Sequence, residues 1–201
     1  MTQHPKKERT FVAIKHDGVQ RSLVGEVVKR IERTGLKLVG IKMFVPDRDR
    51  AIEHYGKDDA WYEEKGGNLV KALKDRGEEP IKPAIEYGKD IIETVIKYLT
   101  MGPIVAMVWE GAHAVEVVKK LAGSTEPSKS DVGTIRGDFN IDSYLTANLD
   151  GRAVRNILHC TDKPEEAERE INIWFTPEEL INYRLVQEEI LYDVNLDGIL
   201  E

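Results

Sequence analysis

The sequence predicts an α+β fold, a two-layer sandwich of the split βαβ kind with helices laid on a sheet. Three observations carry that prediction. Short apolar, β-branched runs recur at 10–15, 37–45, 104–111 and 153–159. Stretches of helical periodicity stand between them. No strand is followed by a G-x-G-x-x-G phosphate turn, which disfavours a doubly wound parallel sheet.

The elements follow in order. Thr10-Phe11-Val12-Ala13-Ile14-Lys15 reads as a buried strand ending in a lysine, and His16-Asp17-Gly18-Val19 as a turn. Ser22 opens a helix whose apolar positions Leu23, Val24, Val27, Val28 and Ile31 keep helical spacing up to Gly35. A strand over 37–45 precedes a short helix capped by Asp47 and running to Tyr55. Residues 56–90 are rich in Lys, Glu, Asp and Gly and read as a surface excursion, with a weak helical stripe at Leu69, Val70 and Leu73. Ile91, Ile92, Val95, Ile96 and Leu99 form an amphipathic helix stopped by Gly102-Pro103. Then come a strong strand over 104–111, a helix over 113–121, a polar loop over 122–139, a last strand over 153–159 and a helix over 162–174.

Composition narrows the function. The 201 residues, 41% hydrophobic and 32% charged, suit one soluble domain. No apolar run approaches the roughly 20 residues of a membrane span, and Met1 to Arg9 hold no signal core. Cys160 is the single cysteine, which excludes an internal disulfide and a cysteine-rich zinc site; a cytoplasmic location is expected. A net charge of −7 argues against nucleic-acid binding, which needs a basic surface. Polyphosphates remain open to an acidic protein whose cations converge in one cleft.

The stretch Arg155-Asn156-Ile157-Leu158-His159-Cys160-Thr161-Asp162 sets a histidine at the exit of a strand, just before a helix. Asp162 fits the N-cap, with Pro164 in the first turn and Glu165 completing a capping box. Two readings stand at this point: a satisfied strand-end histidine, or a neutral imidazole poised beside a helix start to accept a phosphoryl group.

Several colinear segments resolve that choice. Lys15-His16-Asp17-Gly18-Val19-Gln20-Arg21, Val105-Ala106-Met107-Val108-Trp109-Glu110-Gly111, Gly133-Thr134-Ile135-Arg136-Gly137-Asp138-Phe139 and Asn156-Ile157-Leu158-His159 together resemble the nucleoside diphosphate kinase family. The resemblance runs from about Arg9 to Tyr183. It implies a ferredoxin-like βαββαβ core with a four-stranded antiparallel sheet, in one domain over 1–201 with insertions at about 56–90 and 140–152 and a C-terminal extension. It also implies ping-pong transfer of a γ-phosphoryl through a phosphohistidine, which maintains nucleoside triphosphate pools.

Residue by residue, the resemblance makes His159 the carrier, Glu170 its orienting carboxylate and Thr161 a bridging hydroxyl in place of the family's serine. Lys15 matches the lysine that reaches the terminal phosphate and sugar, Tyr55 the tyrosine beside the nucleophile, Arg136 and Thr125 phosphate contacts, and Asn156 a ribose contact. Lys119 stands where an arginine usually meets the β-phosphate, a point charge replacing a fork. Mg²⁺ would arrive on the nucleotide, held by phosphate oxygens and water, with Asp162 a candidate partner through water. Nucleoside tri- and diphosphates such as ATP and GDP are the implied partners, and a homo-oligomer, a hexamer or a tetramer of dimers, the implied assembly.

Departures mark where the chain is its own. His16 replaces the proline of the family's Lys-Pro-Asp turn, and Cys160 replaces a glycine, read here as a small packing residue. The base-stacking aromatic falls at Ile91 by counting back from Gly102-Pro103, with Trp61 or Tyr62 as substitutes if the lid is rebuilt. Asp142, Ser143 and Tyr144 of the second insertion are candidates to approach base or sugar. Asp193 to Gly198 resembles the start of a calcium loop and reads as a tail turn.

Overall fold

The computed structural model describes residues 5–193. Residues 194–198 of the tail turn lie outside them. Strands β1 (Glu8–Ile14), β2 (Lys37–Phe44), β3 (Ile104–Gly111) and β4 (Leu158–Cys160) form one sheet in the order β2-β3-β1-β4. Every neighbouring pair is antiparallel, with Val12 and Ile41 opposite Met107 and Ala13 opposite His159. The helices are α1 (His16–Gln20), α2 (Val24–Glu32), α3 (Arg48–Tyr55), α4 (Asp59–Asp75), α5 (Ala84–Thr100), α6 (Ala114–Ala122), α7 (Ile135–Phe139), α8 (Tyr144–Leu149), α9 (Pro164–Trp174) and α10 (Glu188–Tyr192).

Successive strand residues face opposite ways, so β1 and β3 serve two cores. Val12, Ile14, Val105, Met107 and Trp109 meet Val27 and Ile31 of α2 and Ala114 and Val118 of α6. Phe11, Ala13, Ala106 and Val108 meet Ala51 of α3, Ile96 and Leu99 of α5, and Ile171 and Trp174 of α9. The ferredoxin-like order β1-α2-β2-β3-α6-β4 is therefore present, and α3, α5 and α9 cover the second face of its sheet. That double burial is why β1 and β3 read as unbroken apolar runs.

Several local expectations change. The turn at 16–19 is a one-turn helix, because the amides of Gly18 and Val19 both donate to the Lys15 carbonyl at 3.0 Å. Ser22 sits at φ 57, and α2 begins two residues after it. The loop at 122–139 ends in α7, capped by the Thr134 hydroxyl. The helix after β4 starts at Pro164 with Lys163 as its N-cap and no side-chain cap, so Asp162 and Glu165 form no capping box. Asp162 is drawn aside by Lys119, whose Nζ lies 3.3 Å from its Oδ1. The last strand is only three residues long rather than the seven expected. Before it, the Leu158 amide donates to the Asn156 carbonyl at 2.7 Å with Ile157 at φ 70, a tight γ-turn that cannot sit in a ladder.

Residues 56–90 prove to be a helical hairpin: all of α4, capped by Asp58, and the first turns of α5, which starts at Ala84 rather than Ile91. The two helices cross on glycines. A Cβ on Gly66 would stand 1.7 Å from the Ala84 carbonyl oxygen, and one on Gly88 2.1 Å from that of Tyr62. Gly66→Ala should therefore force the hairpin apart at a cost of about 1–3 kcal/mol. We expect a lowered Tm and faster proteolytic cleavage between α4 and α5; an unchanged variant on both counts would refute this crossing.

Beyond α9 the chain lies along the edge of β2. The Ile181 amide donates to the Val39 carbonyl at 2.8 Å, and the Tyr183 hydroxyl to that of Leu38. The Ala112 amide donates to the Tyr192 hydroxyl of α10. No helix of the described residues is long and apolar enough to cross a membrane.

Candidate active site

His159 lies on β4 opposite Ala13, on the sheet face that also carries Phe11. Its ring is held by aromatic neighbours: His54 at 4.5 Å, Tyr55 at 5.7 Å and Phe11 at 5.9 Å between centroids. Its Nε2 is 3.1 Å from Oε2 of Glu170, which comes from α9, two turns past the helix start. The same Oε2 accepts the Thr161 hydroxyl at 2.7 Å, and that hydroxyl accepts the Phe11 amide. Burial alone would raise the Glu170 carboxyl. The hydrogen bond to His159, the field of that ring and the Thr161 hydroxyl outweigh it and hold the carboxyl at about 2. An ionised carboxylate only accepts, so the proton sits on Nε2, and Nδ1 keeps its lone pair.

His54 was not singled out from the sequence. Its Nδ1 accepts the Trp174 indole N–H at 3.1 Å, and burial, then the neighbouring His159, hold it well below the usual histidine range. It stays neutral and puts no fixed positive charge beside His159. Only its place three residues after Ala51, on the buried side of α3, signals it in the sequence.

Two buried cations stand near the γ-turn. Lys15, at the end of β1, donates from Nζ to Asn156 Oδ1 at 2.8 Å, and burial followed by the field of Arg136 lowers it to about 8. Arg136, on α7, spans three carbonyls: Gly123 at 2.8 Å, Leu158 at 2.9 Å and Asn156 at 3.3 Å. Among the described residues neither cation pairs with a carboxylate within ion-pair distance, so both charges are left for an incoming anion. Asn156 ties the set together, its Nδ2 donating to the Thr125 carbonyl at 3.0 Å. The Asp17 carboxylate accepts the Ile157 amide at 3.1 Å and pins the γ-turn.

A cavity of about 920 Å³ opens over these groups. Lys15, Tyr55, Ile91, Lys119, Thr125, Arg136, Asn156, His159, Asp162 and Glu170 all line it, as the sequence reading requires of them. Thr161 is fully buried behind Glu170 and does not face it. Trp61 lines the wall and Tyr62 does not; the Tyr62 hydroxyl instead accepts the Lys57 amide. Tyr144 also lines the wall, whereas the Asp142 carboxylate is consumed by Arg152 and the Arg155 amide, and Ser143 caps α8. Cys160 is buried, its thiol raised by that burial, which fits a packing role. His16 stacks edge-on to Tyr98 at 4.6 Å, and burial lowers its ring.

Magnesium fits this donor set in a limited way. Asp162 is an exposed carboxylate on the cavity wall beside Lys119, and a hard cation takes one or two carboxylates plus phosphate oxygens and water. The donor atoms of His54, His159 and Glu170 lie within 4.8 Å of one another, but imidazoles suit softer metals, and Glu170 Oε2 is already taken by two hydrogen bonds.

A family model for nucleoside diphosphate kinase matches residues 8–65 and 84–180. The nucleoside diphosphate kinase of Pyrobaculum aerophilum is 42% identical over 179 residues, 87% of this chain and 98% of that one. A crystal structure of an NDP kinase from Pyrobaculum aerophilum superposes with a TM-score of 0.83 at 40% identity, covering 88% of this chain and all of that one. A transition-state mimic of the Borrelia burgdorferi nucleoside-diphosphate kinase, with bound vanadate and ADP, matches with a TM-score of 0.73 at 35% identity over 90% of this chain and 95% of that one. The matched spans take in all four strands, α9 and the cavity residues Lys15, Tyr55, Arg136, Asn156, His159 and Glu170, leaving out most of α4, and on that ground the chain belongs to the nucleoside diphosphate kinase family and is a phosphotransferase.

Proposed function

We propose that the γ-phosphoryl of a nucleoside triphosphate passes to Nδ1 of His159 and from there to a nucleoside diphosphate, a ping-pong exchange that maintains triphosphate pools. The observation that carries this reading is the Nε2–Glu170 contact, which leaves the other ring nitrogen as the nucleophile. The Nδ1 lone pair forms the N–P bond as the bond from γ-phosphorus to the β-phosphate oxygen breaks, and the diphosphate leaves with that electron pair. Glu170 stabilises the cationic ring that results, and the second half-reaction runs the same steps backward onto a new diphosphate. Lys15 and Arg136 hold the phosphate oxygens, where charge develops. Lys119, Thr125 and the Tyr55 hydroxyl, a buried atom with no hydrogen-bond partner among the described residues, complete the phosphate end, and Asn156 faces the sugar. Asp162 would hold a nucleotide-borne Mg²⁺ through water, and the ion would supply charge neutralisation at the phosphates.

An oligomer is supported by β2, the outer strand, which exposes Ile41 and Met43, and by Val45 just after it, exposed as well. The single cysteine supports a cytoplasmic location.

Incubation with γ-labelled ATP and Mg²⁺, then GDP or dCDP, tests the reading. Label that is acid-labile, alkali-stable and passed to the diphosphate supports it. Protein that binds nucleotide without taking label would instead be a nucleotide-binding regulatory module.

The lowered Lys15 sets a pH limit. It must be protonated to hold phosphate, so kcat/KM should fall as pH rises through about 8. Stability moves the other way: the unfolded lysine keeps its proton to about 10.5, so between about 8 and 10.5 the unfolded state binds more protons and stability rises with pH. Lys15→Arg, charged throughout, should remove the basic limb; a limb persisting near 8 in that variant would assign it to another group.

A further inference from the structure

The far end of the cavity is built from residues outside the family match. Leu69, Leu73, Arg76 and Glu78 all line it, and all fall between 65 and 84. The cavity runs along α5, whose lining positions Tyr98, Val95, Ile91 and Tyr87 recur about once per turn. Tyr98 marks the phosphate end, with the Lys15 ammonium 5.4 Å from its ring. Tyr87 marks the other end, about 16 Å away at the helical rise, where its hydroxyl accepts the Ile81 amide of the hairpin tip. A nucleotide with its phosphates among Lys15, Arg136 and His159 therefore directs its base toward the tip.

Two charged side chains wait there on a fixed turn. The Glu78 amide donates to the Leu73 carbonyl at 3.0 Å and the Gly77 amide to that of Lys74 at 2.9 Å, with Gly77 at φ 77. This is a Schellman closure of α4, and it places Arg76 and Glu78 on either side of the glycine. Their side chains meet through one contact, Arg76 Nε to Glu78 Oε1 at 2.9 Å. Among the described residues the second carboxylate oxygen and the terminal guanidinium N–H groups have no further ion-pair contact and stay available at the cavity wall.

Resting on the phosphotransfer reading above, we propose that Arg76 and Glu78 form a base-edge reader that selects a 6-oxopurine, a guanine nucleotide, over other bases. A carboxylate accepts from N1–H and the N2 amino group of guanine, and a guanidinium donates to O6. Adenine and cytosine each present an amino donor between or beside acceptors and offer no such adjacent pair of donors to the carboxylate. The reader is an addition of this chain's hairpin, at a place the matched core leaves open.

The test uses the intact protein. Calorimetric binding of GDP, ADP and CDP, and kcat/KM for the same acceptors from MgATP, are compared in wild type, Arg76→Ala and Glu78→Gln. GDP should lead CDP by about 5–150-fold, the span of one good bidentate base contact, and the lead should collapse toward one in both variants. A merely structural tip would weaken all three nucleotides together and keep the ratio. Equal binding of the three by wild type, or a lead that survives both substitutions, overturns the proposal. Binding is measured apart from transfer, so loss of transfer with a GDP lead intact counts against the phosphohistidine reading and not against the reader.

Discussion

His159→Gln is expected to abolish phosphoryl transfer, a loss of about 10⁴-fold or more, while leaving the fold and nucleotide binding in place. Glutamine has no ring nitrogen that a carboxylate could fix at one end and leave nucleophilic at the other. Removing the imidazole takes away the contact with Glu170 but not the second partner of that carboxylate, the Thr161 hydroxyl at 2.7 Å. The buried charge therefore stays partly satisfied, and the variant should fold. The cations that receive the phosphates, Lys15 and Arg136, bond to Asn156 and to backbone carbonyls rather than to the ring. The measurement is protein-bound label from γ-labelled ATP in acid-precipitated and alkali-treated samples, alongside nucleotide affinity. A variant that takes up label at the wild-type rate would move the carrier to another residue.

Arg136→Ala should cost both stability and rate. Its guanidinium is the shared donor for the carbonyl of Gly123 at the end of α6 and for those of Asn156 and Leu158, which bracket the γ-turn and the start of β4. Three carbonyls in a mostly buried place each lose a donor, the Asn156 carbonyl keeping only the Leu158 amide, which we expect to cost about 3 kcal/mol. Transfer should fall by about 10²–10³, the loss seen when one donor to developing charge is removed. Arg136→Lys should recover little of either, because one ammonium cannot span three carbonyls set around a planar fork. Denaturant midpoints and single-turnover transfer read the two effects separately. If the lysine variant matched wild type in both, the shared-donor account of Arg136 would be wrong.

Much of the framework was legible in the residues themselves. The strands at 10–15, 37–45 and 104–111 and the helices around Val27, Ile96, Val118 and Ile171 stand where period and β-branching place them, because a run buried on one or both faces writes its burial into its own pattern. The ordered segments holding Lys15, Arg136, Asn156 and His159 were equally visible, since a site made of side chains on rigid elements keeps its motif in the sequence.

The misreadings share a cause. The hairpin looked like a surface excursion because its interface is backbone against backbone at Gly66 and Gly88, which leaves only the weak stripe at Leu69, Val70 and Leu73 to count. The seven-residue strand before Cys160 shrank to three because Ile157 takes φ 70, held there by the Asp17 carboxylate and the Arg136 fork, partners remote in sequence. Asp162 lost its cap to Lys119 on α6, a competition that local spacing does not express.

What the sequence determined by itself was the class of fold and the family, and it singled out His159 as the proposed nucleophile; each rests on local pattern. What the tertiary structure alone decided was which ring nitrogen is free, that His54 stands neutral beside it, and that the hairpin tip brings Arg76 and Glu78 over the far end of the cavity. Those are distances between side chains on separate elements, and no periodicity along a single chain encodes them.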